Sequence, residues 1–533
     1  MFSLRLTFII FFWFTSCQLV YADYTEAKRF YDQENYSEAF QKVIPSAEAG
    51  DANSLNLIGI LYLDGLGVDQ NVDKAVEYFE KAIEKKSDKA YLNLASIYMS
   101  KSIGRVDNKK AETFLLLASA SSEKDVAAQA AFELGLLYYF ENSLTKNKED
   151  ALEYFKSAAK YNHVKALKAL GHLSENEMEQ YSWYEKASKL NDPEAQFLTG
   201  VALFEGVGTK QNPSKAIELL KKSAENDYPE ASYYLGRVYG FWGYGNGNFN
   251  NETSIYYFRK AIAEGSLEAI IDLATLLRSL ARYKEAIELF SEAISRLQKK
   301  DTENLFYLAH TIRGLAATQF EYGQYDAAEI NFLKSLRIAE DIYPEKSKDL
   351  TDYYGDIAAF YAKINIKEKA AEKYFLKALS IVDEVNDIES FMALKNNYAT
   401  FLSGNGRLTD AINIYEELIK KVEMDAAYYG RHLSALHYNL ARQYSQISKI
   451  DPAKNNFQKA IEINKKIYGI FHDDTARIHR ELAFLYKSEK DYEEAYTQFQ
   501  NAKEIMEAIY HEEHSELVNL ITARSEIERL RSD

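Results

Sequence analysis

Small residues recur seven positions apart along most of the chain, inside alanine- and leucine-rich segments that lack the alternation typical of strands. A spacing of seven, as in Ala75 and Ala82, puts both residues on one helix face two turns apart. The leading positions are Ala39, Ala75, Ala111, Ala151, Gln180, Ala216, Ser254, Ala286, Ala328, Ala371, Ala411, Ala453 and Ala495. Their partners are Ser46, Ala82, Ala118, Ala158, Ala187, Ser223, Ala261, Ala293, Ser335, Ala378, Leu418, Ala460 and Ala502. The pattern predicts about thirteen antiparallel helix pairs packed through small residues.

A glycine-rich stretch separates the two helices of some pairs. It runs from Asp64 to Ala75 and returns from Glu205 to Ala216, with two glycines in each copy. Glycine adopts the positive φ that ends a helix, while Asn212 and Pro213 suit the cap and the first position of the next helix. The stretch therefore predicts a hairpin between antiparallel helices.

The step between leading positions changes along the sequence. Up to Ala286 the steps are 36, 36, 40, 29, 36, 38 and 32 residues, and from there they are 42, 43, 40, 42 and 42. Two repeat types of different length therefore follow one another, and the leading position marks the same point of the repeat in both. A protein of 533 residues built this way grows by stacking repeats instead of enlarging one core.

The first repeat type resembles Sel1-like repeats. The resemblance rests on Leu235-Gly236, Tyr239 and Lys260-Ala261, and on the hairpins described above. We assign residues 23–300 to this type.

The second type resembles the 42-residue tetratricopeptide repeats of kinesin light chains and their bacterial relatives. Tyr438-Asn439-Leu440-Ala441, Ala460-Ile461-Glu462-Ile463 and Tyr468-Gly469 carry most of the signature. We assign residues 301–511 to it and residues 512–533 to a capping helix with a charged face (Arg524, Glu526, Glu528, Arg529). The two resemblances together imply an all-α right-handed superhelix, a solenoid.

Residues 1–22 have the features of a secretory signal peptide. Arg5 is the only charge, Leu6 to Phe14 are largely apolar, and Val20-Tyr21-Ala22 supplies a cleavage site. We therefore expect an exported protein, periplasmic or secreted, without a membrane span. Cys17 leaves a second possibility, because small residues before it resemble a lipoprotein signal, which would make Cys17 a lipid anchor.

The composition and the motifs of the chain disfavour several classes of function. The formal net charge of −16 disfavours nucleic acid as a partner, and one cysteine allows no intramolecular disulfide. No recognisable nucleophile motif is present, so we expect no enzymatic activity, no catalytic residues and no cofactor.

Two sequence motifs could form a binding site, but each also has a simpler structural explanation. His511 and His514 share a helix face and suggest a metal, yet His514 lies 42 residues after His472 and so occupies a repeat position; we predict no metal site. The glycine-rich segment from Gly236 to Gly247 sits where a repeat has its hairpin. Its aromatic residues Phe241, Trp242 and Tyr244 are expected to be exposed and available to a partner.

The candidate site lies on the first helices of the second repeat type. Aligned in phase, the residues before the Leu-Ala step are Arg313-Gly314, Gly355-Asp356, Asn396-Asn397, Tyr438-Asn439 and Arg480-Glu481. In the related repeats these helices line a concave face, where asparagines hold an extended peptide. The resemblance assigns that role to Asn396, Asn397 and Asn439, with Arg442 and Arg480 facing acidic groups. The alternative is that these are ordinary polar residues on an exposed face.

We therefore expect a non-catalytic scaffold or adaptor that binds a peptide or protein partner on its concave face. Two alternatives remain open: a regulator of a cell-wall enzyme, and an adaptor in the lumen of the eukaryotic secretory pathway.

Overall fold

The computed structural model describes residues 24–140, 148–242, 249–298, 305–365, 367–382, 387–423, 426–469, 472–509 and 515–532; all regular structure within them is helical. The predicted signal peptide and Cys17 lie outside the described residues, as do His511 and His514. Within these ranges, no helix combines the length and apolar character that a membrane span requires.

The protein divides into two units, Met1–Ala269 and Ile270–Asp533. The described helices of the first unit are α1 (24–32), α2 (Tyr36–Glu48), α3 (Ala52–Asp64), α4 (Val72–Glu84), α5 (Asp88–Met99), α6 (Asn108–Ser119), α7 (Lys124–Tyr139), α8 (Lys148–Ala159), α9 (Val164–Leu173), α10 (Glu177–Ser188), α11 (Pro193–Glu205), α12 (Pro213–Glu225), α13 (Pro229–Arg237) and α14 (Asn251–Ala263). A π-helix at Val238–Trp242 extends α13.

Helix α15 (Leu267–Ser279) contains the position at which the units divide. The described helices that follow in the second unit are α16 (Tyr283–Gln298), α17 (Leu305–Glu321), α18 (Tyr325–Ile342), α19 (Leu350–Ile364), α20 (Glu368–Leu379), α21 (Ile388–Gly404), α22 (Leu408–Val422), α23 (Ala426–Gln446), α24 (Ile450–Tyr468), α25 (Asp473–Ser488), α26 (Tyr492–Ile509) and α27 (Ser515–Ser532). The predicted boundary between repeat types, at 300/301, lies outside the described residues and stays a prediction.

The helices pair as the seven-residue pattern predicts. From α3 to α14 and from α17 to α26, each odd-numbered helix packs against the helix that follows it. Every even-numbered helix from α2 to α26 carries one of the predicted pairs seven residues apart, and all of these residues except Gln180 are at most 1% exposed. The members are small except Gln180 and Leu418. Gln180 is half-buried. The all-α solenoid predicted from the sequence is confirmed, with small residues at the closest approach of the helices.

The glycine-rich stretches form the predicted hairpins. Gly65 ends α3 with φ +68° and Gly206 ends α11 with φ +80°. The side chain of Asn71 accepts a hydrogen bond from the first turn of α4, and Asn212 does the same for α12. These contacts satisfy backbone groups that a helix end leaves unpaired.

The second glycine of each hairpin has a role that the sequence did not reveal. A Cβ on Gly67 would lie 2.4 Å from the backbone carbonyl of Tyr36, and one on Gly208 would lie 2.0 Å from that of Glu177. These contacts place each hairpin against the start of the preceding even-numbered helix. A side chain at either position would therefore separate consecutive repeats.

Helix α27 lies within the predicted capping segment 512–533, and its buried face includes Leu517, Leu520 and Ile527. Glu526, Glu528 and Arg529 are exposed. Arg524 departs from the predicted charged face, because its guanidinium donates to Gln500 Oε1 at 2.7 Å and lies over the ring of Tyr496. Arg524 therefore fastens α27 to α26.

Candidate functional site

The five aligned residue pairs lie on α17, α19, α21, α23 and α25, the first helices of successive repeats. Each pair comes just before a fully buried alanine (Ala316, Ala358, Ala399, Ala441 and Ala483). Because that alanine fixes the rotation of its helix, the pairs occupy equivalent positions in each repeat. Asn396, Asn439 and Arg480 are half-buried, whereas Asn397 and Arg442 are exposed.

An equivalent contact joins neighbouring pairs at two of the four steps between them. The first residue of one pair meets the second residue of the next pair: Arg313 Nε donates to Asp356 Oδ2 at 2.7 Å, and Asn439 Nδ2 donates to Asn396 Oδ1 at 2.9 Å. We call such a contact a rung. The first unit contains a similar rung, in which Asn93 Nδ2 donates to Asn56 Oδ1 at 2.8 Å between α3 and α5.

The rung gives Asn396 and Asn439 a structural role that the sequence did not predict. An asparagine amide offers two donors and an acceptor with two lone pairs, and this rung uses one donor of Asn439 and one lone pair of Asn396. Both amides therefore keep capacity for a bound peptide group while they couple adjacent repeats.

Asn397 is not part of a rung, and among the described residues no hydrogen bond joins Tyr438 to Glu481 either. Its counterpart in the preceding pair is Gly355, which has no side chain to offer. Asn397 instead lines a cavity of about 460 Å³ between α19 and α21, with Ala359, Ala362, Thr400 and Gly404 among the other lining residues. The small residues on both helices leave room there, and Asn397 and Thr400 supply polar groups at the opening.

A second cavity, of about 200 Å³, lies between α23, α24 and α25. Its lining includes Asn439, Tyr438, Arg477 and Asn464. Asn464 is 2% exposed, and its Nδ2 has no hydrogen-bond partner among the described residues. A buried donor left unpaired costs about 1–3 kcal/mol, so this amide is poised to bind an acceptor.

Arginines surround Tyr438 at the rim of that cavity. The guanidinium carbons of Arg442 and Arg477 lie 5.9 Å and 5.8 Å from the centre of the Tyr438 ring. Burial raises the pKa of Tyr438, Glu481 raises it further, and the positive charges of Arg442, Arg477 and Arg480 oppose the shift. The predicted Arg442 and Arg480 thus belong to one cluster.

Sequence reasoning missed two members of this region. Asp474, Arg477 and Arg480 are each three residues apart and therefore share one helix face, where Arg477 forms an ion pair with Asp474. This spacing in the sequence could have indicated Arg477. Asn464 lies on a second helix, outside the face that the resemblance indicated. Its burial depends on the packing of three helices, which no local pattern reveals.

The other sequence motifs contribute no site among the described residues. No group of three or more His, Cys, Asp and Glu side chains that could hold a metal ion occurs in the ranges that the structure describes. Phe241 is half-buried, 6.0 Å from Phe258 between ring centres, so the expectation that it is exposed was wrong. The side chain of Trp242 and all of Tyr244 lie outside the described residues.

Family models match both halves of the protein. The Sel1 repeat model matches residues 52–87, 128–163, 181–192, 193–228 and 229–266. Two tetratricopeptide repeat models match residues 266–341 and 434–467.

A solved structure shows the same fold. It is that of a protective antigen present in uropathogenic Escherichia coli strains, displaying an SLR fold, with a TM-score of 0.58 and 19% sequence identity. The match covers 84% of this chain and 94% of that one. At this identity the likeness shows the fold alone.

Curated relatives are matched over part of their length. Chitin synthase regulatory factor 2 of Schizosaccharomyces pombe is 24% identical over 309 residues, which is 54% of this chain and 56% of that protein. A clustered mitochondria protein homolog of Debaryomyces hansenii is 27% identical over 175 residues, 32% of this chain and 13% of that protein. The chain thus spans less than two thirds of either relative. With the helix pairs and the family matches together, the chain is an all-α repeat protein that carries Sel1 repeats followed by tetratricopeptide repeats.

Proposed function

We propose that this protein is a non-catalytic scaffold that binds an extended segment of a protein partner across the first helices of its second unit. The cavity at Asn397, where no rung forms, carries this proposal. There an exposed amide lines a cavity of about 460 Å³ and its counterpart, Gly355, lacks a side chain. An amide can pair with both the N–H and the C=O of a peptide backbone.

The cavity has a composition that suits part of a polypeptide. Asn365, Asn397, Thr400 and Asn405 supply polar groups, and the small residues Ala359, Ala362 and Gly404 leave space for a side chain. Asn396 on α21 and Asn439 on α23, which form a rung, extend the row of amides to the next first helix. Binding then depends on several modest contacts with a surface that is formed in advance.

Photo-crosslinking tests this proposal. A benzophenone amino acid at Thr400, which lines the cavity, is expected to crosslink a partner in cells, whereas the same group at exposed Asn455 on α24 is not. The partner is then identified by mass spectrometry and purified.

The matched affinity comparison uses two asparagines. Asn397→Ala is expected to raise the Kd for the purified partner about two- to tenfold, since one hydrogen bond to a peptide contributes about 0.5–1.5 kcal/mol. Asn455→Ala is expected to leave the Kd unchanged. Equal Kd values for the wild type and Asn397→Ala would refute the assignment of this surface.

We further propose that the partner is met outside the cytoplasm, after export directed by residues 1–22. Mass spectrometry of the mature N-terminus tests this proposal. Asp23 as the first residue indicates signal cleavage, a lipidated Cys17 indicates an anchor, and an intact Met1 contradicts export by cleavage.

A second candidate function is regulation of an enzyme that builds the cell wall. The similarity to chitin synthase regulatory factor 2, over 54% of this chain, favours it. The crosslinking experiment separates the candidates, because a regulator is expected to capture a polysaccharide synthase or hydrolase whose activity changes when the purified repeat protein is added.

A further inference from the structure

His163 joins two consecutive odd-numbered helices of the first unit through both nitrogens of its ring. It is the N-cap residue of α9, and its Nδ1 accepts a hydrogen bond of 3.3 Å from the backbone N–H of Ala166. Its Nε2 lies 3.0 Å from Oε1 of Gln129 on α7, and the centre of its ring lies 4.8 Å from that of Phe132 on the same helix. One imidazole thus caps α9 and connects it to α7.

These contacts determine which ring nitrogen carries the proton of the neutral imidazole. Nδ1 of His163 accepts the backbone N–H of Ala166, so it carries no proton of its own. The amide of Gln129 is oriented by Glu133, because Gln129 Nε2 donates to Glu133 Oε1 at 2.7 Å and leaves Gln129 Oε1 facing the ring. The proton of the neutral ring is therefore on Nε2, which donates it to Gln129.

Acid changes this arrangement at a defined atom. A proton from the solvent can bind to the ring of His163 only at Nδ1, and the new N–H group can no longer accept the hydrogen bond of Ala166. The imidazolium then stands at the N-terminus of α9, where the helix dipole disfavours positive charge. Because burial also disfavours a cation, the ring is expected to leave its place against Phe132 and Gln129.

The surroundings of His163 oppose its protonation. Burial lowers the pKa of His163, and the positive charge of Lys165 on α9 lowers it further. From α8, the uncharged carbonyl of Ala158 accepts the backbone N–H of His163. On α7, Glu133 is connected to the ring through Gln129; burial raises the pKa of this carboxyl, so its protonation favours the folded state as the pH falls. The acid-sensitive group of this network is therefore His163.

A second histidine cap shows what is different at His163. His472 caps α25 through its Nδ1, which accepts the backbone N–H of Asp474 at 3.2 Å. The carboxylate of Asp474 lies 3.8 Å from the same nitrogen, so a proton there would meet a negative charge. At His163 the neighbouring charge is the positive one of Lys165. A proton on the ring is thus compensated at one cap and opposed at the other.

We propose that His163 is an acid-sensitive switch in the first unit, whose protonation at Nδ1 uncaps α9 and loosens its joint with α7. The inference goes beyond the proposed function, which concerns the second unit. At neutral pH the cap holds two successive repeats together. Below about pH 6.5, the ordinary pKa of an imidazole, the start of α9 opens while the rest of the first unit stays folded.

Hydrogen–deuterium exchange of the full chain, read by mass spectrometry at pH 7.5 and pH 5.0, tests the switch. The intrinsic pH dependence of amide exchange is divided out first. Peptides that cover the start of α9 are expected to lose protection at least about fivefold at pH 5.0, the effect of one lost N-cap bond. Peptides of α11 are expected to keep theirs within about twofold.

His163→Asn is the main variant, because asparagine is a favourable N-cap residue that does not titrate in this range. It is expected to keep α9 protected at both pH values. His472→Asn, the same change at the other cap, is expected to leave the loss at α9 as in the wild type. Gln129→Glu places a carboxylate beside Nε2 and stabilises the imidazolium, so the midpoint of the loss should rise by about 0.5 pH unit or more.

Equal protection of α9 at the two pH values in the wild type, or a loss in His163→Asn that matches the wild type, would overturn the switch. A loss of equal size in all peptides of the first unit would also overturn it, because global unfolding would then explain the effect of acid. A midpoint that stays at the wild-type pH in Gln129→Glu would exclude His163 as the group that titrates. This last comparison decides the matter even if His163→Asn fails to fold.

Discussion

Asn439 Nδ2 donates a hydrogen bond of 2.9 Å to Asn396 Oδ1, across 43 residues of sequence and between two successive first helices. Arg313 and Asp356 are also 43 residues apart and make the equivalent contact at 2.7 Å. Polar residues that the resemblance assigned to a partner thus also connect one repeat to the next.

The Asn396–Asn439 rung is expected to stabilise the second unit. Asn396→Ala and Asn439→Ala should each lower the free energy of unfolding by about 1 kcal/mol, because each leaves a half-buried amide unpaired. The double variant should lose less than the sum of the two, with a coupling of at least about 0.5 kcal/mol. Urea denaturation measures the wild type and all three variants, and Asn397→Ala, an exposed site, is the control. Additive losses would show that the two amides act independently.

Gly355→Asn should supply the missing rung. An added Cβ at Gly355 meets only Leu394 Cδ1, at 3.6 Å, so a side chain fits, and its amide would stand in the position that contacts Asn397. We expect weaker binding of the partner, by about tenfold, because the inserted amide competes for Asn397. Circular dichroism should show unchanged helicity. A variant with full partner affinity would argue that the absence of this rung has no role in binding.

Two helical glycines of the second unit should respond oppositely to alanine. In Gly314→Ala the new Cβ would lie 2.8 Å from Cε1 of Phe290, so we expect a loss of about 1–3 kcal/mol from overpacking. Gly355→Ala has ordinary contact distances, so the higher helix propensity of alanine should stabilise the protein by about 0.5–1 kcal/mol. Thermal unfolding compares the two variants, and equal shifts in Tm would contradict the packing explanation.

Two buried histidines should make the second unit sensitive to acid. His437 Nδ1 lies 2.7 Å from Asn456 Oδ1, and His479 Nδ1 lies 2.7 Å from Gln498 Oε1, at equivalent positions of successive repeats. Burial lowers the pKa of both imidazoles below their ordinary value. Below about pH 6.5 the unfolded state therefore binds more protons than the folded state, and the free energy of unfolding falls as the pH falls.

Removing one imidazole should flatten this dependence. His479→Gln is expected to lose less stability than the wild type between pH 7.5 and pH 5.5, measured by urea denaturation across that range. His432→Gln, at an exposed position of α23, is the matched control and should follow the wild type. An identical slope for His479→Gln and the wild type would contradict the contribution of this imidazole.

Most of the fold could be predicted from the sequence, because it is local and repeated. Ala75 and Ala82 lie on one helix face for reasons of helical geometry, and both are fully buried. Gly65 ends a helix through its positive φ, and Asn71 caps the next helix through its own side chain.

The candidate site depends on contacts between repeats, so the role of each of its residues could not be predicted in full from the sequence. The alignment identified Asn396, Asn397 and Asn439, but it treats Asn397 and Asn439 as equivalent. Asn439 reaches Asn396, whereas Asn397 comes opposite Gly355, and the difference arises because the preceding helix presents a side chain in one case and none in the other.

The sequence by itself determined the helix pairs, their phase and the two repeat types, since period and turn chemistry act over a few residues. Tertiary structure alone decided which amides pair across repeats, where small residues leave a cavity, and that Asn464 is buried without a partner among the described residues. Those features arise where helices distant in sequence pack side by side, so their geometry depends on several repeats at once.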